Sequence, residues 1–126
     1  MLAEEERKIL LLDDDERHLE ALADVLQNLG FLPLCCKDPA EALAALENEP
    51  IYAIVDLFLA GDDGAELSNS FIRQELIPRC IRYGRLTSAP QLVPQDLQGE
   101  WVVHKRKFWN NPEEILGLLL LSVSGY

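Results

Sequence analysis

Positive charge is what this chain has least of. Its 11 lysines and arginines face 22 aspartates and glutamates, for a formal net charge of −11. So few cations leave little with which to neutralise phosphates, and direct DNA or RNA binding is excluded as a primary function. Cysteine is also scarce. Cys35, Cys36 and Cys80 are an odd set with no Cys or His partner at zinc spacing, and they read as buried free thiols in a reducing cytoplasm. Apolar runs are short. Leu118 to Leu121 falls far below the length that spans a bilayer, and the polar, acidic stretch Met1 to Lys8 does not resemble a signal peptide. A cytoplasmic location without membrane insertion is the expectation. Internal repeats and linker-like segments are missing too, so residues 1–126, with a core over 8–123, read as one domain.

What the chain does have is alternation. Lys8 to Leu12 is an apolar run that stops at Asp13-Asp14-Asp15, as a strand buried on both faces would. Leu19, Leu22, Leu26 and Leu29 recur at helical spacing from Glu16 onward, with Asp15 as N-cap and Gly30 as the stop. Phe31 to Cys36 is a second strand. Asp38-Pro39 then starts a helix reaching about Glu47, whose core face is expected at Ala40, Leu43 and Leu46. Ile51 to Val55 is a third strand, ending on Asp56, and a helical pattern with Ala65, Leu67 and Phe71 runs from Gly64 toward Pro78. Cys80 to Leu86 is a fourth strand, although Arg82 and Arg85 are unusual in the middle of a parallel sheet. Pro90 and Pro94 leave room for only a short helix before Trp101 to His104, the last strand, and Pro112 opens a C-terminal helix ending near Ser122. Five strands with intervening helices call for a three-layer α/β domain around a parallel sheet.

Right-handed crossovers bring Asp14, Asp56, Thr87 and Lys105 to one sheet edge, where such folds bind ligands. Two carboxylates ~5 Å apart repel by roughly 3 kcal/mol at an effective dielectric near 20, so Asp13, Asp14 and Asp56 call for a cation. Mg²⁺ or Mn²⁺ suits them, with Asp14 and Asp56 as direct ligands, Asp13 acting through water and the main-chain carbonyl of Phe58 as a further ligand. A carboxylate can itself accept a phosphoryl group, a transfer that needs positioning and charge compensation. Lys105 and the hydroxyl of Thr87 or Ser88 are the groups to supply them.

The stretches KILLLDDD, IVDLFLAGDDG, LTS and VVHK, in this order along the chain, resemble the marker segments of CheY-like response-regulator receiver domains, the phosphorylated modules of two-component signalling. The resemblance implies a flavodoxin-like sheet of order 2-1-3-4-5. It implies Mg²⁺-dependent phosphorylation on Asp56 by a histidine kinase or phosphotransfer protein, with Thr87 and Lys105 assisting. It also implies a signalling phosphoacceptor rather than an enzyme in its own right. Several positions depart from the pattern. Ala60 and Arg106 stand where the family has proline, Lys107 is a second candidate for the site lysine, Val102 replaces the common aromatic, and the Thr87 to Lys105 segment is short.

Other features have ordinary readings. Asp62-Asp63-Gly64 reads as a solvated turn, and His18 and His104 as structural. Phe108-Trp109 either contacts a partner or covers the sheet edge. If Ile115, Leu118 and Leu119 face the sheet, then Leu116, Leu120 and Val123 are left outward, suggesting a homodimer or output-partner contact through the C-terminal helix. Two rival functions remain in view. One is a docking or dimerisation module that works without phosphorylation. The other is a haloacid-dehalogenase-like phosphatase, suggested by Asp13-x-Asp15, although the chain places Asp56 before rather than after the threonine and lysine.

Overall fold

A computed structural model describes residues 7–124; the N-terminal residues before Arg7 and the Gly125-Tyr126 end lie outside the described residues. Five parallel strands form one sheet in the order β2-β1-β3-β4-β5, with β1 at Lys8–Leu12, β2 at Leu32–Cys36, β3 at Tyr52–Val55, β4 at Arg82–Thr87 and β5 at Val102–His104. The helices are α1 (Glu16–Asn28), α2 (Pro39–Ala45), α3 (Gly64–Phe71), α4 (Lys105–Asn110), α5 (Pro112–Leu119) and α6 (Leu121–Ser124). A π-type segment, Ile72–Leu76, extends α3. Asp15 caps α1 as its sequence suggested, accepting the N–H groups of Arg17 and His18, while Gly30 takes the left-handed φ of +90° that ends the helix.

Alternation along the strands divides the interior into two layers. Ile9, Leu11, Tyr52, Ile54 and Leu86 meet α1 and α5 residues on one face. Leu10, Leu12, Ala53, Val55 and Tyr83 meet Ala42, Leu46, Phe71 and Leu76 on the other. Both faces of Ile9–Leu12 in β1 and of β3 are therefore dry, which is why these stretches are apolar without a break.

The crossover from β4 to β5 is the irregular one. The short helix expected there takes the form of two single 3₁₀ turns, Pro90–Leu92 and Gln95–Leu97. Pro90 and Pro94 each lack an N–H and so prevent a continuous helix. Immediately after β5 the chain enters α4, a helix the sequence patterning did not show because KRKFWN has no apolar period to mark it.

Three packing expectations are corrected. The core face of α2 is Ala42 and Leu46, whereas Leu43 is exposed and Ala40 is exposed as well. Asp38 and Pro39 set the phase of this short helix, and that phase turns Ala42 inward. On the C-terminal helices, Leu116, Leu120 and Val123 are the buried residues, and Leu118 and Leu121 are the exposed ones. The break at Leu120 between α5 and α6 lets both segments turn apolar residues onto α1. Among the thiols only Cys36 is buried. Cys35 and Cys80 are free but exposed, since Cys35 sits on edge strand β2 with its Sγ beside Leu19 O at the rim of α1 and Cys80 lies in a turn with φ +58°.

Candidate phosphoacceptor site

The ladder of the sheet continues one residue past its apolar strands and so fixes the acidic residues that follow. Asp13 donates its N–H to Cys36 O at 3.1 Å, and Asp56 donates its N–H to Leu12 O at 2.9 Å. These bonds aim two side chains out of the same edge. Asp13, Asp14 and Asp56 each offer a carboxylate oxygen within 4.8 Å of the others. Asp14 is exposed, whereas Asp13 and Asp56 are buried. Asp13 also closes a tight turn, with Oδ1 accepting the N–H of Asp15 at 3.0 Å, which leaves Oδ2 directed at the site.

Lys105 supplies the local countercharge. As the first residue of α4 it reaches back over the edge, its Nζ lying 3.0 Å from Asp56 Oδ2 and 3.0 Å from Asp13 Oδ2. Its side chain is buried. Burial alone lowers a lysine's pKa, but the charges of Asp56 and Asp13 outweigh it and hold Lys105 above its ordinary value. Lys107, the other candidate, is exposed.

Burial dominates at Asp56. Removal from water, with the charge of Asp13 acting in the same direction, pushes its carboxyl up to about 6 from 3.8, against the opposing pull of Lys105. Thr87 is fully buried at the end of β4, and its Oγ1 accepts the N–H of Ala89 at 3.2 Å. Ser88 is exposed. Phe58, two residues past Asp56, is half exposed at the mouth of the following loop. Gly64 closes that loop, where a Cβ would lie 1.9 Å from the Leu59 carbonyl oxygen. Only glycine permits that approach. The Asp62-Asp63 turn is exposed, as its composition suggested.

Two residues join the site that sequence reasoning did not place there. His18, expected from the sequence to be structural, has its Nδ1 3.1 Å from Lys105 Nζ and 3.7 Å from Asp13 Oδ2. An ammonium has hydrogens only to give, so Nδ1 is the acceptor. The ring is backed by Trp109 at 5.7 Å, and Trp109 in turn meets buried Phe108 edge-on at 4.7 Å. The Phe108-Trp109 pair thus covers the sheet and steadies the site's edge. No sequence signal connects His18 with Lys105, because they meet only when α1 and α4 flank the same strand end.

The second is Arg85. It is 0% exposed, opposite Val55 in the sheet register. The one available signal was its anomalous place in a central strand. A buried guanidinium without an ion pair costs several kcal/mol, and here that cost is offset by hydrogen bonds of roughly 1.5–3 kcal/mol each to charged donors. Removal from water draws its pKa down to about 10, which leaves it charged at neutral pH. His104 has a smaller task, its ring Nδ1 accepting the Arg106 N–H at 3.0 Å to cap α4.

Sheet order, acidic edge and reaching lysine together define a class, and comparison with known proteins agrees with it. Over 94 residues, 70% of the chain, the sequence is 38% identical to the photosynthetic apparatus regulatory protein RegA of Cereibacter sphaeroides, covering 50% of that protein. The fold matches the receiver domain of the PhyR response regulator of Erythrobacter litoralis at 19% identity and TM-score 0.73, over 91% of this chain and 90% of that one. A CheY-like receiver domain protein of Methanospirillum hungatei JF-1 matches at 21% identity and TM-score 0.64, over 92% of this chain and 98% of that one. No protein-family model matches the chain. The fold is that of CheY-like receiver domains, and over 70% of the chain the sequence is similar to RegA. The chain spans about half the length of the RegA it matches. Among the described residues, no helix is long and apolar enough to cross a membrane.

Proposed function

We propose that the chain accepts a phosphoryl group on Asp56 in a two-component or phosphorelay system. The observation that carries this reading is the carboxylate trio meeting one buried lysine at the carboxyl edge of the sheet. In the transfer, a carboxylate oxygen of Asp56 forms a bond to phosphorus as the bond to the donor's leaving atom breaks, and the leaving group departs with the electron pair. The donor is the phosphohistidine of a histidine kinase or phosphotransfer protein.

The donor set fits a hard divalent ion such as Mg²⁺ or Mn²⁺, since three carboxylates with oxygens this close present only oxygen ligands. Asp14 and Asp56 would hold it directly, Asp13 through water, and the carbonyl of Phe58 would complete the protein ligands. When bound, such an ion neutralises charge on the phosphoryl oxygens. Lys105 then turns from the Asp13–Asp56 pair toward a second phosphoryl oxygen, and the Thr87 hydroxyl donates to a third. His18 keeps the ammonium from swinging outward.

Incubation with acetyl phosphate and Mg²⁺, read by intact mass, is the direct test. Wild type gains one phosphoryl group and Asp56→Asn gains none; equal behaviour of the two sinks the reading. The contracted β4–β5 crossover, two 3₁₀ turns in place of a helix, favours an output that does not use a helix between β4 and β5. If wild type remains unmodified while still binding a partner, the phosphorylation-independent docking role replaces this one.

A further inference from the structure

Arg85 is the one fully buried cation of the described core, and the phosphoryl-transfer chemistry set out above does not use it. Its contacts converge on a short piece of main chain. Nε donates to Val55 O at 3.2 Å and Nη2 to Asp56 O at 3.5 Å. Nη2 also donates to Ser68 Oγ at 3.1 Å, and that hydroxyl donates to Leu57 O at 2.6 Å. Three successive carbonyls, those before, at and after Asp56, are therefore tied to one guanidinium and its serine. Nη1 extends the web to Asn69 Oδ1 at 3.2 Å in α3 and to Leu97 O at 3.0 Å in the second 3₁₀ turn. Among the described residues no carboxylate lies within ion-pair distance of the guanidinium, and Asp56 is the acid whose charge it feels.

We propose that Arg85 is a positioning residue of the phosphoacceptor site, clamping the main chain of Val55, Asp56 and Leu57 from beneath while its unpaired charge opposes the binding of a divalent cation above. The planar fork explains the choice of arginine, since an ammonium cannot span Val55, Asp56, Ser68 and Leu97 at once. The charge has a consequence of its own. Among the described residues Lys105 is the lysine or arginine paired with the trio, so a second buried cation leaves the trio less negative, which favours release of the metal and acceptance of a dianionic phosphoryl group. The same fork links the Asp56 carbonyl to Leu97 in the β4–β5 crossover.

This inference rests on the phosphoacceptor reading, and its test separates the two. Mg²⁺ is titrated into wild type, Arg85→Met and Arg85→Lys, with Trp109 fluorescence as the signal and circular dichroism confirming the fold. Arg85→Met is expected to bind Mg²⁺ about threefold or more tightly, the direction Coulomb's law requires when a nearby cation is removed. Arg85→Lys keeps the charge and binds as wild type does. At saturating Mg²⁺, acetyl phosphate modifies both variants about tenfold more slowly, because neither holds all three carbonyls. If Arg85→Met does not fold, Arg85→Gln, neutral and still able to donate, replaces it. Unchanged or weaker Mg²⁺ binding in the folded neutral variant overturns the proposal, as does modification at the wild-type rate. An unmodified wild type signals failure of the phosphoacceptor reading, and this inference then falls with it.

Discussion

At the scale of single residues the site is built on a conflict that its charges resolve only in part. Asp56 takes up a proton more readily in the folded chain than in the unfolded one, its pKa being about 6 against 3.8. Its contribution to stability is therefore full below about pH 4 and is lost as pH rises through about 6. Without metal, Asp56→Asn is expected to be more stable than wild type at pH 7.5 by about 1–3 kcal/mol, and to lose that advantage below pH 4. Chemical denaturation at the two pH values checks it. Lys105→Met is expected to slow phosphorylation by about tenfold or more, since a charge aimed at the reacting group is lost, while Lys107→Met leaves the rate unchanged because Lys107 is solvated. Rates with acetyl phosphate decide between them. The carboxylates were legible in the sequence because each follows a recognisable strand, whereas Lys105 and Lys107 both follow the last strand and only the fold separates them. His18 was not legible, because its partners Lys105 and Asp13 come from other segments of the chain.

At the scale of elements, the strands carried the clearest signal and the last third of the chain the weakest. Continuous apolar runs marked β1 and β3, and the cap at Asp15 marked the start of α1. The β4–β5 region follows other rules. Gly84 lies against the Trp101 ring, to which a Cβ would come within 2.2 Å. Gly84→Ala must push the indole out of its seat or spread β4 from β5, at an expected cost of about 1–3 kcal/mol. A lowered melting temperature with shifted tryptophan emission reports that displacement, and unchanged emission argues against it. Leu118 is exposed and Leu116, Leu120 and Val123 are buried, the reverse of the sequence expectation, because one continuous rod has a different inward face from two short helices broken at Leu120. The large apolar residues this region leaves exposed are Leu118 and Leu121.

At the scale of the whole molecule, the acidic edge couples the site to global stability. A cation that binds only the folded trio stabilises it by RT ln(1 + [Mg²⁺]/Kd), about 1.4 kcal/mol at ten times Kd. Thermal melts should show a rise in Tm with Mg²⁺ in wild type that is lost in Asp14→Asn. An equal rise in both would mean that the ion acts on the general surface charge of −11 instead. The sequence by itself determined the fold class, the sheet's apolar core and the acidic residues at its edge, because strand period, caps and strand-end acids are local properties that each segment carries alone. Only the tertiary structure decided which lysine enters the site, which face of the C-terminal helices is buried, and that Arg85 and His18 belong with Asp56. Those outcomes depend on where separate segments meet, and the Asp56 carboxylate and its supports come together only when the parallel sheet aligns their ends.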